Sequence, residues 1–173
     1  MAIGVAALAT ACSLPKPTAE DNRRAAVLRA DPIFAEDIAG LGNQNVYVYP
    51  GHGNGATRAT TDVRKWGPLA APPDDTVRLV LDRALTGGWS IGTVDCQTST
   101  TRPTSYLVYG VKQFDGFVGL LTIQAYPNGP DGPQWFSLEA STSDADAQPR
   151  GGTISPNQTA STVAGIAGTC LDD

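Results

Sequence analysis

Histidine, lysine and cysteine are scarce in this chain: one His, three Cys and, at Lys16, Lys65 and Lys112, three lysines among 173 residues, with only 17% of residues charged. His52 stands alone, so no second imidazole can complete the common His-containing zinc sites, and the cysteines at 12, 96 and 170 show no C-x-x-C spacing. No metal and no cofactor is expected. Net charge is −5 with a sequence pI near 4.7, and no run of Lys or Arg is interleaved with aromatics. The phosphate-neutralising surface that nucleic acids require is missing, so no nucleic-acid partner is expected. Long apolar runs are missing too. The first eleven residues are too few to cross a bilayer as a helix, and no second stretch approaches the roughly 20 residues needed.

Glycine and proline are abundant, at 19 and 13, which predicts many turns and loops. A hydrophobic content of 41% over this length suits one core of ordinary size. The expected fold class is α+β, with an antiparallel sheet, one or two helices packed on one of its faces, and a C-terminal segment fastened by a disulfide.

The segment 74–126 carries the clearest signals. Val77, Val80, Leu81, Ala84 and Leu85 recur at helical spacing, while Arg78, Asp82 and Arg83 fall outside that stripe, which predicts an amphipathic helix over 74–85. Asp74 or Asp75 is expected to cap it, and Gly87 with Gly88 to end it. Residues 89–96 read as a strand with Trp89 and Ile91 on one face and an irregularity at Gly92. A polar loop is expected over 97–104. Two β-rich runs follow, 105–114 and 117–126, separated by Asp115-Gly116, which suits a two-residue hairpin turn. That turn pairs Phe114 with Phe117, Gly110 with Leu121, Val108 with Ile123 and Tyr106 with Ala125, and this face is the expected core. The opposite face mixes Tyr109, Gln113, Thr122 and Gln124 with Leu107, Val111, Val118 and Leu120, and is expected to be only partly covered.

Elsewhere, Thr18 with Asp21 resembles a capping box opening a helix over 19–30, which Asp31-Pro32 stops. A further helical turn through Ile33, Phe34 and Ile38 and a short strand over 46–49 follow. Residues 50–65 contain Gly51, Gly53 and Gly55 and little apolar content, and read as an exposed loop closed by Trp66. Residues 134–142 place Phe136, Leu138 and Ala140 on one face of a strand that can pair beside the hairpin. Beyond 143 the chain is weakly patterned, with Val163 and Ile166 its main apolar anchors.

At the amino terminus an uncharged small and apolar run ends in Leu8-Ala9-Thr10-Ala11-Cys12, and Ser13, Pro15, Lys16, Pro17 and Thr18 read as a polar tether. This resembles the lipobox of bacterial lipoproteins of the actinobacterial type. The resemblance implies that residues 1–11 are a removed signal and that Cys12 carries the lipid, with 12–18 as the tether; from the length of the chain, 19–173 is expected to be a single α+β domain. It implies an address as well: the cell membrane, with the chain lipid-anchored on the extracytoplasmic face. If Cys12 takes lipid, Cys96 and Cys170 remain as a natural disulfide pair.

Chemistry is less legible. Gly88-Trp89-Ser90-Ile91-Gly92 matches G-x-S-x-G, but the hydrolase elbow runs from strand to helix and its histidine follows the serine, whereas here helix precedes strand and His52 precedes Ser90. Ser90 is assigned no catalytic role. His52, flanked by glycines, is the one weak candidate for contact with a ligand. The carboxylate pairs Glu36-Asp37, Asp74-Asp75 and Asp172-Asp173 read as solvated or capping groups. The expected function is a non-enzymatic, membrane-anchored envelope lipoprotein that binds a protein, glycan or lipid partner. Two alternatives are a small surface hydrolase, and a phage or host inhibitor acting at the membrane surface.

Overall fold

A computed structural model describes residues 16–52, 60–99, 102–127 and 134–143. Among these residues lie helices α1 (Ala19–Ala30), α2 (Pro32–Ala35) and α3 (Pro73–Thr86), and strands β1 (Tyr47–His52), β2 (Thr60–Pro68), β3 (Ser90–Ser99), β4 (Arg102–Phe114), β5 (Phe117–Pro127) and β6 (Gln134–Ser143). The strands form one antiparallel sheet in the order β1-β2-β6-β5-β4-β3. The protein is thus mixed α and β, and mostly sheet.

Local chemistry explains the helix ends. The Thr18 hydroxyl accepts from the Asp21 N–H at 3.1 Å while the Thr18 N–H donates to Asp21 Oδ2 at 2.8 Å, the reciprocal capping box expected at the start of α1. Asp31 ends α1 and caps α2 through the Ile33 N–H. Helix α3 departs from expectation at its start. Its cap is Pro72 with no side-chain hydrogen bond, so Asp74 and Asp75 lie in the first turn, where their charge favours the positive end of the helix dipole. It ends as predicted: Gly88 has φ +84°, its N–H donates to Leu85 O at 3.0 Å, and the Trp89 N–H donates to Ala84 O at 2.9 Å.

The Asp115-Gly116 turn, with Gly116 at φ +80°, sets β4 against β5 in the predicted register, Phe114 with Phe117 through Tyr106 with Ala125. Strand β6 joins β5 on its other side, and the pairing of β3 with β4 shifts between Ile91 and Thr93, around Gly92. Alternation then gives the sheet two unlike faces. One carries Val63, Ile91, Tyr106, Val108, Phe117, Leu121, Ile123, Ala125, Phe136, Leu138 and Ala140, all buried in a single cluster with Leu28, Ile33, Phe34, Ile38, Val77, Val80, Leu81 and Ala84. All three helices therefore cover the same face.

Two segments differ from the sequence reading. The expected loop over 50–65 is partly sheet: Pro50 to His52 continue β1, and from Thr60 the chain is strand β2, with Thr61, Val63 and Lys65 buried. The expected polar loop over 97–104 is mostly strand as well, since β3 runs to Ser99 and β4 begins at Arg102. Polar residues suit this place because β3 is an edge strand. Residues 53–59 and everything beyond Ser143, including Val163, Ile166 and Cys170, lie outside the described residues, as does Cys12.

Candidate ligand-binding face

The other face of the sheet has no helix on it among the described residues. Register brings its side chains into rows that cross the sheet: Tyr47, Arg64, Glu139, Thr122 and Tyr109 form one, and Trp66, Ser137, Gln124, Leu107 and Asp95 the next. These residues are half-buried, apart from the exposed Asp95. A mixed and partly covered face was the expectation for β4 and β5, and the structure extends it over all six strands.

The half made by β1, β2 and β6 is rigidified by charge and rings. Trp66 stacks on Tyr47 with ring centroids 4.0 Å apart. Arg64 lies between two carboxylates: Nη2 donates to Asp62 Oδ2 at 3.3 Å, and Nε stands 3.1 Å from Glu139 Oε2 as an ion pair whose N–H is not aimed at the oxygen. Its guanidinium also sits over the Tyr49 ring, 5.5 Å from the centroid. Burial pushes the Glu139 carboxyl above its ordinary value; Arg64 opposes that shift and the Asp62 charge adds to it.

The half made by β3, β4 and β5 holds a hollow of about 610 Å³. Asp95, Gln97, Ser105, Leu107, Gln124 and Tyr126 line it from the open face. The polar ends of these side chains make no hydrogen bond or ion pair among the described residues. Tyr126, 40% exposed, is the exposed large hydrophobic residue of the described chain.

The hollow and the start of α1 lie at opposite ends of the sheet. Helix α1 begins beside the hairpin turn, where Arg23 Nη2 donates to Asp115 O at 3.2 Å and Thr61 Oγ1 donates to Asp21 O at 3.3 Å. From Phe117 at that end to Tyr126 at the hollow, β5 extends roughly 30 Å at about 3.3 Å per residue.

The residues singled out in the sequence are dispersed. His52 ends β1 and Ser90 opens β3, the two edge strands, so the width of the sheet separates them: five spacings, roughly 24 Å at about 4.8 Å each. Cys96 lies in β3, and Cys12 and Cys170 lie outside the described residues. Among the described residues no group of three or more His, Cys, Asp or Glu is placed to hold a metal ion, and no helix is long and apolar enough to cross a membrane. The hollow itself was not anticipated. Its residues come from three strands whose rows align only once the pairings of β3 with β4 and β4 with β5 are known.

No protein-family model matches the chain, and no curated protein matches it closely enough to count as a relative.

Proposed function

We propose that this chain is a non-enzymatic binding module of the bacterial envelope, anchored by lipid on Cys12 to the extracytoplasmic face of the cell membrane. The observation that carries the binding role is the sheet face on which no helix lies among the described residues, where half-buried rings border a hollow lined by polar side chains that have no hydrogen-bond partner among those residues. The anchoring role rests on the lipobox-like Leu8-Ala9-Thr10-Ala11-Cys12. One acyl chain holds a protein only marginally at a membrane, and the diacylglyceryl group of a lipoprotein supplies more than one.

Cys170 is the proposed partner of Cys96. Cys12 and Cys170 are the other two cysteines of the chain, and lipidation takes the first. Closing a loop of about 75 residues contributes roughly 4 kcal/mol in the chain-entropy description, enough to hold a weakly patterned C-terminal segment to the sheet edge.

The test is the intact mass of the mature protein from detergent-extracted membranes of an actinobacterial host, with and without reductant. Loss of residues 1–11, a diacylglyceryl adduct and a gain of two hydrogen atoms on reduction are expected. An unlipidated chain with three free thiols overturns both the anchor and the bridge.

A further inference from the structure

The chemistry of the hollow narrows what it takes. Among the described residues no Lys, Arg or His lines it, so the described lining offers an anion no counter-charge, and the Asp95 carboxylate would repel one. What it does offer is a carboxylate, which accepts only, the Ser105 hydroxyl, and the primary amides of Gln97 and Gln124, each of which both donates and accepts. A dense set of neutral hydroxyls matches that inventory, because every hydroxyl also donates and accepts. Beside these groups Tyr126 presents the most exposed large ring of the described chain, and Leu107 an apolar patch. A ring face next to hydroxyl-pairing groups fits a pyranose, whose C–H face is apolar and whose rim is polar.

The aromatic residues continue beyond the hollow. Tyr126 on β5 pairs directly with Trp135 on β6, Trp66 follows one row on in β2, and Tyr47 on β1 is stacked against Trp66. Four neighbouring strands thus each place at least one ring on the same open face, with Ser137 and Gln124 among them. The charged cluster of Asp62, Arg64 and Glu139 on this face is unlike the core of a protein interface, which is depleted of charge.

We propose that the hollow and the ring track leading from it form a binding site for a neutral oligosaccharide, with Tyr126 as the stacking platform and Asp95, Gln97 and Gln124 pairing with sugar hydroxyls. This deepens the binding-module reading by naming its ligand class, and rests on that reading for the face involved. The site needs no metal and no reacting group.

The test uses the mature lipoprotein in a zwitterionic, non-glycosidic detergent, titrated calorimetrically with neutral pyranose hexasaccharides of glucose (β- and α-linked), mannose and N-acetylglucosamine. At least one is expected to bind with a change in tryptophan emission. Tyr126→Ala and Gln124→Leu are each expected to weaken that binding about tenfold or more, near 1.4 kcal/mol. Val118→Ala, on the same face at the hairpin end, should leave it unchanged. Both altered side chains are at least partly exposed, and far-ultraviolet circular dichroism of each variant confirms that the fold is kept. No binding by any of the hexasaccharides, or binding that Tyr126→Ala and Gln124→Leu leave intact, overturns the proposal. Neither outcome alters the mass of the acyl adduct on Cys12, so the anchor and the ligand class fail separately.

Discussion

Lys112 Nζ lies 2.6 Å from Asp31 Oδ2, joining β4 to the junction of α1 and α2 across 81 residues of chain. The Asp31 side chain is 1% exposed, and its other oxygen accepts from the Trp89 indole at 3.2 Å and from the Ile33 N–H at 3.3 Å. Lys112 in turn sits over the Phe114 ring at 4.9 Å and the Trp89 ring at 5.9 Å. One carboxylate therefore ends a helix, starts another and fixes both to the sheet.

Removing one partner of such a pair leaves the other partly buried without compensation. Asp31→Ala is expected to cost about 3–5 kcal/mol, read as a lower urea midpoint with an unchanged slope. Asp31→Asn with Lys112→Met together should cost less than the sum of the two single changes, since no uncompensated charge is left.

Lys65 gives a pH signature. Its side chain is buried and its ammonium donates to Glu36 O at 2.9 Å. Burial holds its pKa below the usual 10.5; Asp37 opposes that shift and Arg83 adds to it. Between the lowered value and 10.5 the unfolded chain binds more protons than the folded one, so the Lys65 contribution to stability rises with pH through that window. The stability of the natural chain relative to Lys65→Met should therefore increase as pH climbs toward 10.5. The lost hydrogen bond to Glu36 adds an offset that does not vary with pH. Urea unfolding at stepped alkaline pH measures the slope, and a flat or falling difference contradicts the burial of this ammonium.

Glu139 should show its effect at acidic pH. Its carboxyl is raised above 4.5 by burial, so between 4.5 and the raised value the folded state holds the extra proton. Stability falls as pH climbs through that window. Glu139→Gln, which cannot ionise, is expected to gain on the natural chain as pH rises from 4.5 and to keep that gain above the window. Thermal unfolding across acidic pH reads the divergence.

The elements that the sequence made plain are those whose signals are local. Asp115-Gly116 dictates a turn, and the turn dictates every pairing of β4 with β5; Thr18 with Asp21 fixes where α1 begins. Strand β2 was hidden because its inward positions include Thr61 and Lys65, a hydroxyl and an ammonium that pattern reading assigns to solvent. The Thr61 hydroxyl is accommodated by donating to Asp21 O at 3.3 Å, and the Lys65 ammonium by donating to the Glu36 carbonyl. The end of β3 was hidden for the opposite reason, since β3 is an edge strand and an edge tolerates polar residues. As for the open face, Leu107, Gln124 and Asp95 are 12 or more positions apart in sequence, and only three-strand alignment makes them neighbours.

The strand order also bears on how this chain reaches its native state. Strands β3 to β6 pair in sequence, each with the one just made, whereas β2 takes as its second neighbour β6, more than 65 residues further on. Non-local pairings of this kind are slow because a long loop must close before any contact rewards it. A chain threading outward from its amino terminus would complete its first hairpin early and hold it unfinished, one edge of β2 open, until the final strand of the sheet emerged to close the seam.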